Sequence, residues 1–118
     1  MRDHRKLEIF QLADGLAVRT YQATKSFPKD ELYGLVSQMR RSAVSVPSNI
    51  VEGCGRRTET EFNRFLDIAF GSIRELGYLI DLSEKLGYLS GQDAKELREH
   101  QDRSASALGA FIQKRETF

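Results

Sequence analysis

The chain has 118 residues, enough for one domain that could bury about two thirds of its unfolded surface. Its 18 basic and 17 acidic side chains leave a net charge of +1, which excludes a histone-like polybasic binder. Any site for a polyanion has to come from local clustering or from repetition of a patch in an oligomer.

With 40% apolar and 30% charged residues the composition is that of an ordinary soluble globular or bundle protein, read as one domain over 1–118. No apolar run approaches the ~20 residues that span a bilayer. The N-terminus, Met-Arg-Asp-His-Arg-Lys, leads into an amphipathic pattern and not into the apolar core of a signal peptide. A single cysteine, Cys54, cannot form an internal disulfide, which fits a reducing cytoplasm. These features predict a cytoplasmic protein without a membrane segment.

In chain order, helix one is expected over 5–25. Ile9, Leu12, Ala13, Leu16, Thr20 and Ala23 make one stripe, and Leu7, Phe10, Ala17 and Tyr21 a second. Two stripes form a broader apolar face than one neighbouring helix covers. Ser26-Phe27-Pro28 breaks the pattern, and Pro28 suits the first turn of helix two, with Asp30 and Glu31 at its positive end. Leu32, Leu35, Val36, Met39, Ala43, Val46 and Ile50 carry the stripe of helix two through Pro47. A proline inside a helix removes one hydrogen bond and crowds the carbonyl four residues back, here Ala43, at about 3 kcal/mol. The phase predicts one continuous helix kinked at Pro47, with Ser42 or Ser45 bonding the freed carbonyls. A break into two pieces is the alternative, because Val46 precedes the proline. Gly53-Cys54-Gly55 reads as the stop.

Helix three opens on Thr58-Glu59-Thr60-Glu61, a capping box with Thr58 as N-cap and Glu61 reaching back to it. Phe62, Phe65, Leu66, Ala69, Ile73, Leu76, Ile80 and Ser83 follow at helical spacing. Gly87 suits a left-handed C-cap, with Tyr88 packing back on Leu82. Ser90 and Asp93 start helix four, whose stripe is Ala94, Leu97, Gln101, Ala105, Leu108, Phe111 and Ile112. Short connections between four helices predict an all-α, up-down-up-down antiparallel four-helix bundle.

Folding helix three back at Gly55 brings Arg41 near Gly71 and Gln38 near Glu75. The small residues Ser42, Ala43, Gly71 and Ser72 then allow a close approach of the two backbones. Two readings of the polar residues there stand open. One is a network of Gln38, Arg41, Ser45, Asn49, Ser72 and Glu75 that fixes the register of an oligomer, with Glu75 as partner of Arg41. The other is an ordinary exposed salt bridge worth ~0–1 kcal/mol. Arg56 and Arg57 precede the N-terminus of helix three, where free N–H groups and the helix dipole attract anions. Glu52, Glu59 and Glu61 can satisfy the same guanidinium groups, so local pairing competes with phosphate binding. Arg40 and Arg41 form a second basic pair.

Other chemistries find no constellation. Gly53-x-Gly55 lacks the third glycine and the preceding strand of a dinucleotide site. His4 and His100 sit in no Glu-x-x-His step, so no metal site is expected. Cys54 lies at a helix C-terminus, where the dipole disfavours a thiolate. No catalytic residue and no cofactor are expected, which points away from an enzyme.

The run from 38 to 57 also carries a resemblance. Gln38, Arg40, Arg41, Ser45, Pro47, Asn49, Ile50, Glu52, Gly53 and Arg56, followed by Ala69, Gly71, Ser72 and Glu75, closely resemble the motif of the four-helix-bundle proteins encoded in intervening sequences of bacterial 23S ribosomal RNA genes. The accessory protein of diversity-generating retroelements looks like a relative of the same group. Ser42 departs from the usual alanine. The resemblance implies a homopentamer, the polar network in preference to a lone salt bridge, and for some members nucleic-acid binding. Together with Arg40, Arg56 and Arg57 as contact points, it implies an oligomeric module that binds RNA, DNA or a nucleoprotein. A scaffold for protein interaction is the alternative, which the near-neutral charge favours.

Overall fold

A computed structural model describes residues 2–116. Four helices account for most of them: α1 (Glu8–Thr24), α2 (Ser37–Cys54), α3 (Glu59–Lys85) and α4 (Gly91–Glu116). Each packs on its sequence neighbour, and α1 closes the bundle against α4, inside an envelope of 45 × 23 × 20 Å. Side-chain pairs give the direction. Gln38 meets Glu75 and Ser42 meets Ser72, while Arg98 meets Asp81 and Arg115 meets Asn63. Residue numbers that rise on one helix as they fall on the next define the antiparallel up-down-up-down bundle. Among the described residues no helix is long and apolar enough to cross a membrane.

The core follows the predicted stripes. Ala13 and Leu16 of α1, Met39, Ala43, Val46 and Ile50 of α2, Phe62, Leu66, Ala69, Ile73, Leu76 and Ile80 of α3, and Ala94 and Leu108 of α4 are buried. Side-chain hydroxyls inside this core find local acceptors. Thr20 Oγ1 donates to the Leu16 carbonyl and Ser83 Oγ to the Leu79 carbonyl, each at 2.8 Å. No buried side-chain nitrogen or oxygen among the described residues lacks a partner.

The caps of α3 and α4 form where the sequence places them. Thr58 Oγ1 accepts the Glu61 N–H at 3.1 Å, although the Glu61 carboxylate makes no return bond. Ser90 Oγ accepts the Asp93 N–H at 3.0 Å. At the end of α3, Gly87 takes φ +80° and the Tyr88 N–H reaches the Ser83 carbonyl at 2.9 Å, closing a Schellman turn.

Helix two differs from expectation at its start and in its middle. Pro28 leads only into a 3-10 turn (Lys29–Glu31), followed by a π turn (Leu32–Val36) in which Gly34 is non-helical at φ −109°, ψ −110°. The regular helix starts at Ser37, and Leu32, assigned to the core stripe, is exposed. The cause is Glu31. Its Oε1 accepts the Leu35 N–H at 3.2 Å and its Oε2 accepts the Tyr88 hydroxyl at 3.0 Å, so its side chain occupies the inside of the turn. A Cβ on Gly34 would lie 2.7 Å from that Oε1. Tyr88 thus turns toward Glu31 and the Phe27 ring, 5.5 Å away.

Downstream, α2 continues through Pro47 without interruption. Ser42 and Ser45 do not bond the carbonyls freed by the proline, as the sequence suggests. Ser42 Oγ donates to the Ser72 carbonyl and Ser45 Oγ pairs with Ser72 Oγ, both at 2.8 Å. The Ser72 carbonyl and hydroxyl on α3 face them across the seam and serve as their partners in place of the local carbonyls. Asn49 is the residue that back-bonds, from Nδ2 to the Ser45 carbonyl at 2.7 Å and to Ser45 Oγ at 2.9 Å.

The Gly53-Cys54-Gly55 stop stands, with α2 running to Cys54 and Gly55 as its C-cap. Gly53 is also a point of close approach to α3. A Cβ there would meet Phe65 Cβ at 3.0 Å and Phe62 Cδ1 at 3.1 Å. Gly53→Val is therefore expected to cost about 1–3 kcal/mol by overpacking. Urea unfolding checks this, and an unchanged midpoint would mean that the two helices can part without loss.

Candidate nucleic-acid interface

The arginines sort into those already held and those left free. Arg56 is held: its Nη2 donates to Glu52 Oε1 at 2.6 Å, and its guanidinium lies 4.7 Å from the Phe65 ring centroid. Arg40 is held too. Its Nε donates to Thr24 Oγ1 at 3.0 Å while its guanidinium covers the Tyr21 ring at 4.5 Å. Arg57, one residue past Arg56 in the connection to α3, is exposed and has no partner among the described residues. Arg41 is likewise exposed and unpaired.

Arg41 corrects one expectation. It does not pair with Glu75, whose Oε2 instead accepts a 3.4 Å bond from Gln38 Nε2. Because Arg41 points to solvent, no buried charge has to be neutralised there. The remaining members of the expected network do meet. Gln38 with Glu75, and Asn49 with Ser45 and Ser72, form two separate clusters across the α2–α3 seam. Outward from that seam, Arg41, Val44, Ser48 and Val51 follow one face of α2, and Ile68, Gly71, Glu75 and Tyr78 one face of α3, all exposed. Among the described residues, apart from its own turn of α3, nothing comes within 4 Å of a Cβ placed on Gly71, so another backbone could approach closely there.

The end of the bundle that carries Arg57 gathers two further arginines not singled out in the sequence. Arg2 and Arg115 both bond Glu59 Oε1, at 2.6 and 2.5 Å. Both also stack on the Phe62 ring, at 4.0 and 4.5 Å. Their contacts bridge more than 50 positions, so only the tertiary fold shows them. Bonds from Arg2 and then Arg115 hold the Glu59 carboxyl down to about 2, against an ordinary 4.5. Since the folded value is depressed, this clasp contributes fully above pH 4.5 and is lost as pH falls toward 2. Glu59→Gln should accordingly be less stable than the wild type at neutral pH, with the difference vanishing near pH 2. Urea titrations across that range check it, and a difference that persists at pH 2 would assign the effect to packing.

The other candidate groups stay quiet. Burial pushes the Cys54 thiol up, which leaves it a packed, unreactive side chain. His4 stacks edge-on against Phe10 at 4.7 Å, and burial lowers the pKa of His100. Among the described residues no three His, Cys, Asp or Glu side chains are grouped to hold a metal.

With this geometry in hand, comparison with known proteins settles the family. Residues 5–110 match the 23S rRNA-intervening sequence proteins. The chain belongs to that family. A crystal structure of a protein with unknown function from the S23 ribosomal protein family of Bacteroides thetaiotaomicron superposes with a TM-score of 0.82 at 20% identity. The match covers 89% of this chain and 95% of that one, which shows a common fold. No curated protein matches the sequence. Neither the family nor the structural neighbour carries an enzymatic name.

Proposed function

We propose that this family member is a non-enzymatic module of the cytoplasm that self-associates, as a ring of five, and binds nucleic acid or a nucleoprotein through repeated arginines. The observation that carries the reading is the exposure of Arg41 and Arg57 without any carboxylate partner. On a chain of net charge +1, Arg41 and Arg57 of one copy attract a polyanion weakly, and a ring multiplies them by the number of subunits. The ring itself is supported by the end of α2 and the outward face of α3, where Val51, Ile68 and Tyr78 are exposed on the side of the open Gly71. The number five, and a kinship with the retroelement accessory protein, come from the family resemblance alone. Arg40 and Arg56, pinned to Tyr21 and to Glu52, position their neighbours more than they contact phosphate.

A scaffold without nucleic acid is the second reading, favoured by those same apolar residues. Gel shifts with structured RNA and duplex DNA across a salt series separate the two. Retardation at low salt that fades steeply as salt rises supports the first. No retardation at the lowest salt leaves the scaffold. Light scattering reports the subunit number, and a monomer at micromolar concentration would remove the ring.

A further inference from the structure

The cleft between α1 and the first half of α2 is built unlike the rest of the surface. Its volume is about 510 Å³, and Tyr21, Tyr33, Val36, Arg40, Arg41 and Val44 are among its lining residues. Tyr33 is 93% exposed, an unusual state for a tyrosine. The turn that carries it is braced by Glu31, whose carboxylate accepts the Leu35 N–H and the Tyr88 hydroxyl. Arg40 covers the Tyr21 ring, and Arg41 stands free beside it.

We infer that this cleft is a subsite for unpaired nucleotides of single-stranded nucleic acid, with Tyr33 as the stacking platform and Arg41 as the phosphate contact. The inference rests on the nucleic-acid reading above and narrows it from phosphate attraction to a strand with free bases. An aromatic ring presented to solvent offers its face to any base, and duplex bases, already stacked on each other, cannot use it. Charge decides between a strand and a second copy of the chain. No carboxylate lines the cleft, while two arginines do. An apolar protein surface seated there would bury Arg41 without a countercharge, which is costly. A phosphate supplies that countercharge.

The test is fluorescence anisotropy with labelled oligouridylate, oligothymidylate and a duplex of equal length, on wild type, Tyr33→Ala, Tyr33→Phe and Arg57→Glu. The Tyr33 side chain makes no hydrogen bond or ring contact among the described residues, so Tyr33→Ala should melt with the wild type. Tyr33→Ala is expected to weaken both single strands about tenfold, as loss of one stacked base does, and to leave the duplex unaffected. Tyr33→Phe should retain wild-type affinity. If Tyr33→Ala binds single strands as tightly as wild type while Arg57→Glu binds them less well, the phosphate reading survives and this subsite falls. If wild type binds none of the three probes, both fall. If Tyr33→Ala breaks the oligomer, the cleft is a contact between subunits and the inference is overturned.

Discussion

Phe62→Ala is expected to lower the unfolding free energy by about 3–5 kcal/mol, a large part of the roughly 5–15 kcal/mol that holds a domain of this size together. Phe62 is fully buried near the start of α3, and its ring does four things at once. It meets the Phe111 ring edge-on at 6.2 Å, tying α3 to the end of α4. It fills the space that Gly53 leaves open on α2. It also lies under the guanidinium groups of Arg2 and Arg115. Removing it leaves a cavity among three helices and takes the platform from beneath the Glu59 clasp. The cost should therefore exceed the sum of Phe62→Leu and Glu59→Gln, because the sites share partners. Urea unfolding at neutral pH measures it. A loss under about 1 kcal/mol would mean that α2 and α4 collapse into the space, against the tight packing at Gly53.

What the sequence disclosed was local. Most of the apolar stripes, the Thr58 and Ser90 N-caps and the turn at Gly87 depend on residues within a few positions of one another, and these stand in the structure, while Leu32 is exposed and Glu61 returns no bond to Thr58. The start of α2 misleads for the opposite reason. Pro28-Lys29-Asp30-Glu31 has the composition of a helix start, but Glu31 answers to Tyr88, 57 residues away. The serines beside Pro47 were matched to nearby carbonyls, whereas their partners are on α3. At the candidate interface, the basic pairs were legible as sequence, yet not which member of each was free. That depends on Glu52, Phe65, Thr24 and Tyr21, and only Glu52 of these was weighed as a partner for them. Arg2 and Arg115 meet at Glu59 from the two ends of the chain, and no spacing rule could join them.

The pinned and free arginines should differ sharply in the salt dependence of binding. If a ring of five presents Arg41 and Arg57 from every subunit, a nucleic acid that touches all of them neutralises ten phosphates. The log–log slope on duplex DNA is then about −9, and affinity falls by about 10⁵ between 50 and 200 mM salt. Arg57→Glu removes half of those contacts. Its slope should be about half the wild-type value, with unchanged melting temperature and subunit number, because Arg57 is exposed and pairs with no group among the described residues. Arg56→Glu makes the control. It puts two carboxylates together at the end of α2 and strips the guanidinium from Phe65, so it should lower the melting temperature with a smaller effect on the slope. Titrations of both variants over the same salt range, with light scattering on each, decide the matter. An Arg57→Glu slope equal to wild type would exclude this end of the bundle as a phosphate contact and leave Arg41, some 20 Å further along α2, to carry the affinity. Loss of the ring in Arg57→Glu would instead make the free arginine a subunit contact, one whose countercharge lies on the neighbouring chain.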